Sequence, residues 1–121
     1  MQGFDHEKLD VYRAAIDFVA LADGVVEGLP RGRASLADQL QRAATSVALN
    51  VAEGAGEFSA KEKARFYRMA KRSATECAAI MDVCERLTLI ELATFGEGRE
   101  LLLRTVSMLT KMVRGLSQTA T

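Results

Sequence analysis

Residues 38–59 of the chain read DQLQRAATSVALNVAEGAGEFS. Apolar residues recur there every three or four positions, which predicts a helix, and two glycines near the end of the stretch mark a break. Within that helix a set of polar side chains falls in a window about 80° wide, at 100° per residue. The set consists of Gln39, Arg42, Ser46, Asn50 and Glu53. These five residues form a polar ribbon that flanks the apolar face of the helix.

The same helical period continues on both sides of this stretch, and no segment has the alternating pattern of a strand. Breaks around Pro30, around Gly54 and within residues 87–98 leave four predicted helices. Their bounds are about residues 7–28, 35–53, 60–88 and 92–116. Heptad-like apolar spacing and short connections predict an all-α protein, an antiparallel up-down-up-down four-helix bundle. The chain, residues 1–121, is short enough to form a single domain.

Capping residues support these bounds. Gly54 suits a left-handed position after the end of the second helix. Ser59 and Glu62 have the spacing of a capping box at the start of the third helix. The start of the fourth helix has two interpretations, because Glu91 and Thr94 are both suitable first residues.

The first two helices carry more apolar surface than one bundle needs. On the first helix the apolar arc covers about 180°, against roughly 100° for a helix packed on one side. On the second helix the side away from the core carries Thr45, Leu49 and Ala52. We therefore expect the protein to assemble with copies of itself. The alternative is a monomer with small surface residues, which are common.

The polar ribbon has two interpretations. It lies at the border of the core, where polar groups are partly desolvated and need hydrogen-bond partners. Ser73 and Glu76 on the third helix are the expected partners, which would make the ribbon a structural network or a subunit interface. The alternative is a ligand-binding or catalytic site built from Gln39, Arg42, Asn50, Glu53 and Glu76.

The third helix carries the best candidate for a binding surface. Lys61, Arg65, Arg68 and Arg72 fall within about 60° of one another on its outer side. With Lys71 they form a basic stripe that is suited to nucleic-acid phosphates or to a partner protein. No aromatic residue is interleaved on the stripe, so backbone contact without base reading is expected. The alternative is a solvated face balanced by acidic residues elsewhere.

Composition argues against several other functions. Sixteen basic residues balance sixteen acidic ones, so the whole chain exerts no overall attraction on nucleic acid or lipid. His6 is the only histidine and no C-x-x-C motif occurs, so we predict no metal, no cofactor and no catalytic residue. Cys77 and Cys84 follow the heptad-like apolar spacing of the third helix and are expected to be free thiols in the core. Without a signal pattern or a long apolar run, the expected location is the cytoplasm, with no membrane partner.

Residues 39–56, QLQRAATSVALNVAEGAG, resemble the signature of a bacterial four-helix bundle family encoded by intervening sequences in 23S ribosomal RNA genes. The pattern reads roughly Q-L-x-R-A-x-x-S-I-x-x-N-I-A-E-G-x-G, and the similarity extends to LDVYRAA at 9–15 and to Ser73 and Glu76. Valines replace two isoleucines of the pattern, Arg72 stands where glycine is common, and Glu57 stands where a basic residue is frequent. The last departure weakens any prediction of anion binding at that turn.

The resemblance implies a ring-like homopentamer. It also implies kinship with the accessory proteins of diversity-generating retroelements, basic pentamers that engage a reverse transcriptase and nucleic acid. From residues and resemblance together we expect a non-enzymatic, homo-oligomeric scaffold or adaptor that contacts RNA, DNA or a nucleic-acid-processing protein through the basic stripe. A small-molecule binder or enzyme using the polar ribbon, and purely structural self-assembly, are the alternatives.

Overall fold

A computed structural model describes the backbone of residues 3–120 and the side chains of residues 3–117. Within these residues the protein is all-α, as predicted. It has four helices: α1 (Asp10–Gly28), α2 (Ala34–Ala55), α3 (Ala60–Arg86) and α4 (Leu92–Ala120). Short 3-10 turns at Asp5–Lys8 and Arg31–Arg33 precede α1 and α2. The first helix was predicted from residue 7, but the chain adopts the tighter 3-10 geometry there before α1 begins.

The four helices form a closed square. Each helix packs against its neighbours in the chain, and α1 packs against α4, while the diagonal pairs make no close backbone contact in the described residues. One buried cluster joins Val11 at the start of α1, Val51 near the end of α2, Tyr67 near the start of α3 and Leu109 in the second half of α4. At this side of the bundle the first halves of α1 and α3 therefore lie beside the second halves of α2 and α4, so neighbouring helices run antiparallel.

The connection between α3 and α4 begins with a residue in the left-handed region. Thr88 has φ 58°, and its N–H donates to the carbonyl of Glu85 at 3.0 Å. The next N–H, that of Leu89, donates to the Cys84 carbonyl at 2.8 Å, which completes the hydrogen-bond pattern of a Schellman motif. The fourth helix begins at Leu92, and the N–H of Phe95 donates to the Glu91 carbonyl at 3.0 Å. The start at Glu91, rather than a cap at Thr94, fits this geometry.

The predicted role of Gly54 is wrong. No described glycine has a positive φ, and α2 continues through Gly54 to Ala55. A Cβ atom at Gly54 would lie 2.7 Å from Cε1 of Tyr67, which is closer than real Cβ contacts. The glycine is therefore required by the close approach of the Tyr67 ring and not by a left-handed backbone.

The core of α4 does not follow the heptad-like apolar spacing throughout. Its buried residues are Gly98, Leu102, Thr105 and Leu109, whereas the apolar Phe95 and Val106 are half-buried. The hydroxyl of Thr105 donates to the Leu101 carbonyl at 2.8 Å, so its polar group is satisfied within the helix. A Cβ atom at Gly98 would lie 2.8 Å from Cε of Met81, so α4 packs very close to α3 at this point.

The wide apolar arc of α1 is covered by its own chain. The residues of that arc are all buried or half-buried between α2 and α4: Val11, Tyr12, Ala14, Ala15, Phe18, Val19, Leu21, Ala22, Val25 and Val26. The apolar surface of α1 that stays accessible is therefore smaller than the sequence pattern predicts, and Ile16 is the large apolar side chain that α1 leaves exposed, at 42 %. On α2, in contrast, Thr45 and Leu49 are exposed. None of the helices in the described part of the chain combines the length and the apolar character that a membrane span requires.

Candidate functional site

The turn between α2 and α3 sets the position of the basic stripe. Ser59 caps α3, because its hydroxyl oxygen accepts the N–H of Glu62 at 3.0 Å. Lys63 extends back to the end of α2, where its Nζ donates to the carbonyls of Gly54 at 3.3 Å and Ala55 at 2.9 Å. These carbonyls lie in the last turn of α2, at the negative end of the helix dipole, so an ammonium group stabilises them, although the Gly54 carbonyl also accepts the N–H of Glu57 at 3.2 Å. Lys63 is therefore a structural cation, unlike the other basic residues nearby.

The basic stripe lines a shallow groove on the outer side of α3, with a volume of about 640 Å³. Its lining residues are Arg65, Arg68, Met69, Lys71, Arg72 and Thr75. Lys61, Arg65, Arg68 and Arg72 are exposed, and Lys71 is half-buried. Lys61 lies one helical turn before the groove. The structure thus brings four of the five predicted basic residues into one depression and leaves the fifth beside it.

Arg65 is the one residue of the stripe that has an acidic partner. Its Nε lies 3.1 Å from Oε2 of Glu62, and its Nη2 lies 3.4 Å from Oε1 of the same carboxylate. The guanidinium carbon also lies 4.4 Å from the centre of the Phe66 ring. Both partners of the ion pair remain substantially exposed, so the pair orients Arg65 without contributing much stability.

The other stripe residues have no acidic partner. In the part of the chain whose side chains are described, the only ion pairs are Arg65–Glu62 and Arg13–Asp10. Residues 61–72 contain six basic residues and one acidic residue, Glu62. The diagonally opposite α1 has the reverse composition, with four acidic residues and one basic residue. The positive potential of the groove is therefore local, although the whole chain is neutral.

Three members of the predicted polar network come together at the border of α2 and α3. The hydroxyl oxygens of Ser46 and Ser73 lie 2.9 Å apart. Nδ2 of Asn50 donates to the Ser46 hydroxyl oxygen at 3.0 Å and to the Ser46 carbonyl at 2.9 Å. All three side chains are half-buried, as a desolvated network requires.

The remaining predicted network residues do not join this cluster. Gln39, Arg42, Glu53 and Glu76 are exposed. Gln39 donates to the hydroxyl of Ser35 at 3.4 Å within its own helix. The side chains of Arg42, Glu53 and Glu76 make no hydrogen bond to the described part of the protein. The expected hydrogen bonds of Glu76 to the network are thus absent from this structure, and Glu53 and Glu76 are both exposed.

A second shallow groove runs along the outer side of α2, with a volume of about 420 Å³. It is lined by Gln41, Arg42, Thr45, Ser46, Leu49 and Asn50. Among these residues Leu49 is 59 % exposed, and the hydroxyl of Thr45 donates to the Gln41 carbonyl of its own helix at 2.8 Å. The groove therefore presents mostly apolar atoms beside the partly buried serine and asparagine.

The titratable core groups are inert. Burial raises the pKa of the Cys77 thiol to about 12, and the negative charge of Glu76 adds to this effect. Burial also raises the pKa of Cys84 and of Tyr67. Both cysteines are free thiols, and in the described residues no cluster of three or more metal-ligating side chains occurs. Such protonated thiols are poor nucleophiles at neutral pH.

Sequence reasoning missed two features of the site. Met69 and Thr75 line the basic groove, but neither stands out by type or spacing. Phe58, in the turn before Ser59, is fully exposed at 103 % of its reference area. The sequence contains a signal for this exposure. An apolar residue before a cap often packs against an apolar fourth residue of the helix, but here the fourth residue is Lys63, which offers Phe58 no such partner.

One comparison with known proteins bears on the chain. The family model described as 23S rRNA-intervening sequence protein matches residues 7–111, which is most of the sequence and covers α1, α2, α3 and the larger part of α4. No curated protein matches the chain.

Proposed function

The chain belongs to the family of 23S rRNA-intervening sequence proteins, and we propose that it is a non-enzymatic, homo-oligomeric adaptor whose α3 groove binds nucleic-acid phosphates. The family description names a place in a ribosomal RNA gene and no reaction. The function must therefore be inferred from the surface of the protein. The proposed location is the cytoplasm, where free thiols such as Cys77 and Cys84 persist.

The observation that carries this proposal is the unpaired charge of the groove. Lys61, Arg68 and Arg72 are exposed, lie on one side of a single helix and have no acidic partner among the described side chains. Lys61 lies in the first turn of α3, where a cation opposes the helix dipole, and Arg68 and Arg72 lie in the middle of the helix, so the helix dipole does not account for these cations. Binding of phosphates releases counterions and makes use of this charge.

The groove suits the phosphate backbone better than base edges. Its polar groups are guanidinium and ammonium ions on one side of a single helix, and the hydroxyl of Thr75 already donates to the Lys71 carbonyl at 3.0 Å. Cations of this kind position a nucleic acid without reading its sequence. We therefore expect affinity for many sequences, with a strong dependence on salt.

Self-association is the second part of the proposal. The apolar groove of α2, centred on Leu49, supports it because exposed apolar surface of this kind is typical of interfaces. The half-buried Ser46 and Asn50 lie at the edge of the same groove. A pentameric ring is the assembly that the resemblance implies, and a ring would repeat the basic groove around its axis and bind a long nucleic acid through several copies.

A gel-shift assay with charge-reversed variants tests the nucleic-acid part. Lys61→Glu combined with Arg65→Glu should abolish the shift of a labelled RNA or DNA at low salt. Lys111→Glu combined with Arg114→Glu is the matched control, because it makes the same change in charge at exposed positions of α4. If the α3 variant shifts the probe as the wild type does, the groove is not the binding site.

A further inference from the structure

Phe58 has an exposed ring that its own fold does not use. It lies in the turn between α2 and α3 at 103 % of its reference area, and it has no ring contact in the described part of the protein. Most of the other aromatic side chains near the helices are buried or half-buried. A residue directly before a helix cap usually packs against the fourth helical residue. Here that residue is Lys63, whose ammonium group turns away to the carbonyls of α2.

The backbone that carries Phe58 is held on both sides. Before it, the N–H of Glu57 donates to the Gly54 carbonyl at 3.2 Å, and Gly54 packs directly under the ring of Tyr67. After it, Ser59 caps α3 through its hydrogen bond with Glu62. The ring is thus presented to solvent from a turn with few alternative conformations. Such preorganisation reduces the entropy that binding would otherwise cost.

The exposed ring adjoins the basic stripe. Lys61 follows Phe58 by three residues, so their Cα atoms lie within about 10 Å of each other. From Lys61 the cations continue along α3 into the groove. The two acidic residues nearby, Glu57 and Glu62, do not cancel this charge, because residues 57–72 contain six basic residues against these two.

We infer that Phe58 stacks on an unpaired base while Lys61 and the α3 groove bind the adjoining phosphates, so that the protein prefers single-stranded nucleic acid to duplex. This inference rests on the proposed function and specifies its ligand. Exposed aromatic rings beside a track of cations are the common elements of single-strand binding sites. In a duplex both faces of each base are already stacked, so Phe58 finds no partner there unless it distorts the helix.

A tryptophan variant provides a direct reading of stacking. The chain contains no tryptophan, so Phe58→Trp introduces a single probe at this site. Its fluorescence should be quenched when an unlabelled 20-nucleotide single strand is added, and much less by the duplex of the same sequence. Leu92→Trp is the control, because Leu92 is 75 % exposed at the opposite end of the bundle. Its fluorescence should change little with either probe.

Affinity measurements complete the test. Phe58→Ala should weaken single-strand binding about tenfold, within the range known for base–aromatic stacking, and leave duplex binding unchanged. Phe58→Tyr should restore the affinity, because a tyrosine ring stacks as well. Since the side chain is fully exposed, these variants should fold as the wild type does, which circular dichroism and native mass spectrometry verify on the same samples.

Each of the following outcomes would contradict either the stacking of Phe58 on a base or the proposed function itself. If Phe58→Ala binds single strands like the wild type while Lys61→Glu with Arg65→Glu does not bind, stacking is wrong and the proposed function stands. Equal losses for single strand and duplex also overturn stacking. If Phe58→Ala changes the subunit number, the ring packs against another copy and the inference fails. If the wild type binds neither probe at low salt, the proposed function fails and the inference fails with it.

Discussion

The hydroxyl oxygens of Ser46 and Ser73 lie 2.9 Å apart and form the only hydrogen bond that joins a side chain of α2 to a side chain of α3 in the described part of the protein. Asn50 supports this bond, because its amide donates to the Ser46 hydroxyl at 3.0 Å. The pair fixes the register of the two helices at the border of the core. Two small hydroxyl groups can do so because the helices pack closely there.

Ser46→Ala should therefore lower the free energy of unfolding by about 1 kcal/mol, because it leaves the half-buried Ser73 hydroxyl without its partner. Urea denaturation measures this change. A double-mutant cycle with Ser73→Ala should show coupling of about 0.5 kcal/mol or more. Ser107→Ala, at an exposed position of α4, is the control and should be near neutral. Equal effects at the two sites would show that the serine pair has no structural role.

Gly54 and Gly24 should respond in opposite directions to the same substitution. Gly54→Ala places a methyl group 2.7 Å from the buried Tyr67 ring, so it should destabilise the fold by about 1–3 kcal/mol. Gly24→Ala meets no atom within 4 Å and lies within α1, so it should stabilise by up to about 1 kcal/mol. Thermal and urea unfolding measure both. A neutral or stabilising Gly54→Ala would contradict the close approach of α2 and α3.

The stability of the fold should fall at alkaline pH, because the pKa of Cys77 rises from 9.0 in the unfolded chain to about 12 in the bundle. Between these values the unfolded state loses the thiol proton and the native state retains it. The contribution of the protonated Cys77 thiol to the free energy of unfolding is therefore complete below about pH 9 and is lost as pH rises toward 12. Urea unfolding of the wild type and of Cys77→Ala across this range provides the test. The free energy of unfolding of Cys77→Ala should fall less steeply with pH than that of the wild type. Identical slopes for the two proteins would show that Cys77 is not the cause of the alkaline decline.

These predictions also show what the sequence could and could not provide. Helical periodicity located all four helices and most of the core, because the buried side of a helix carries apolar residues at every third or fourth position. Periodicity gives the angle of a side chain but not the distance between helices. It therefore assigned Gly54 to a cap and missed Gly98 and Thr105, whose roles arise from close packing and from a hydrogen bond inside the helix.

The candidate site was predicted less completely for a related reason. Ser46, Asn50 and Ser73 were correctly placed together, because all three lie at the edge of the apolar arc. Glu53 and Glu76 lie only slightly farther around their helices, but their longer side chains reach water and remain there. The unpaired state of Lys61 and Arg68 depends on neighbours from other parts of the chain that a single-helix pattern does not contain, whereas the exposure of Phe58 has a local signal in Lys63.

Assembly through α2 gives a further prediction. Leu49→Glu places a charge at the centre of the apolar groove, so it should shift the protein from oligomer to monomer. Native mass spectrometry at several concentrations measures the shift. Leu103→Glu is the matched control, because Leu103 is 57 % exposed on α4 while Leu49 is 59 % exposed. If both variants keep the wild-type subunit number, or if the wild type is itself a monomer, the α2 groove is not a subunit interface.

The central claim is that the α3 groove binds phosphates, and the salt dependence of nucleic-acid binding tests it most directly. Fluorescence anisotropy with a labelled single strand gives the slope of log affinity against log salt concentration. Replacing Arg68 and Arg72 by glutamine should make this slope shallower by about 1.4, since each lost phosphate contact removes about 0.7. The same replacement of Arg99 and Arg104 on α4 should leave it unchanged. Equal slopes for the wild type and the α3 variant would contradict the account.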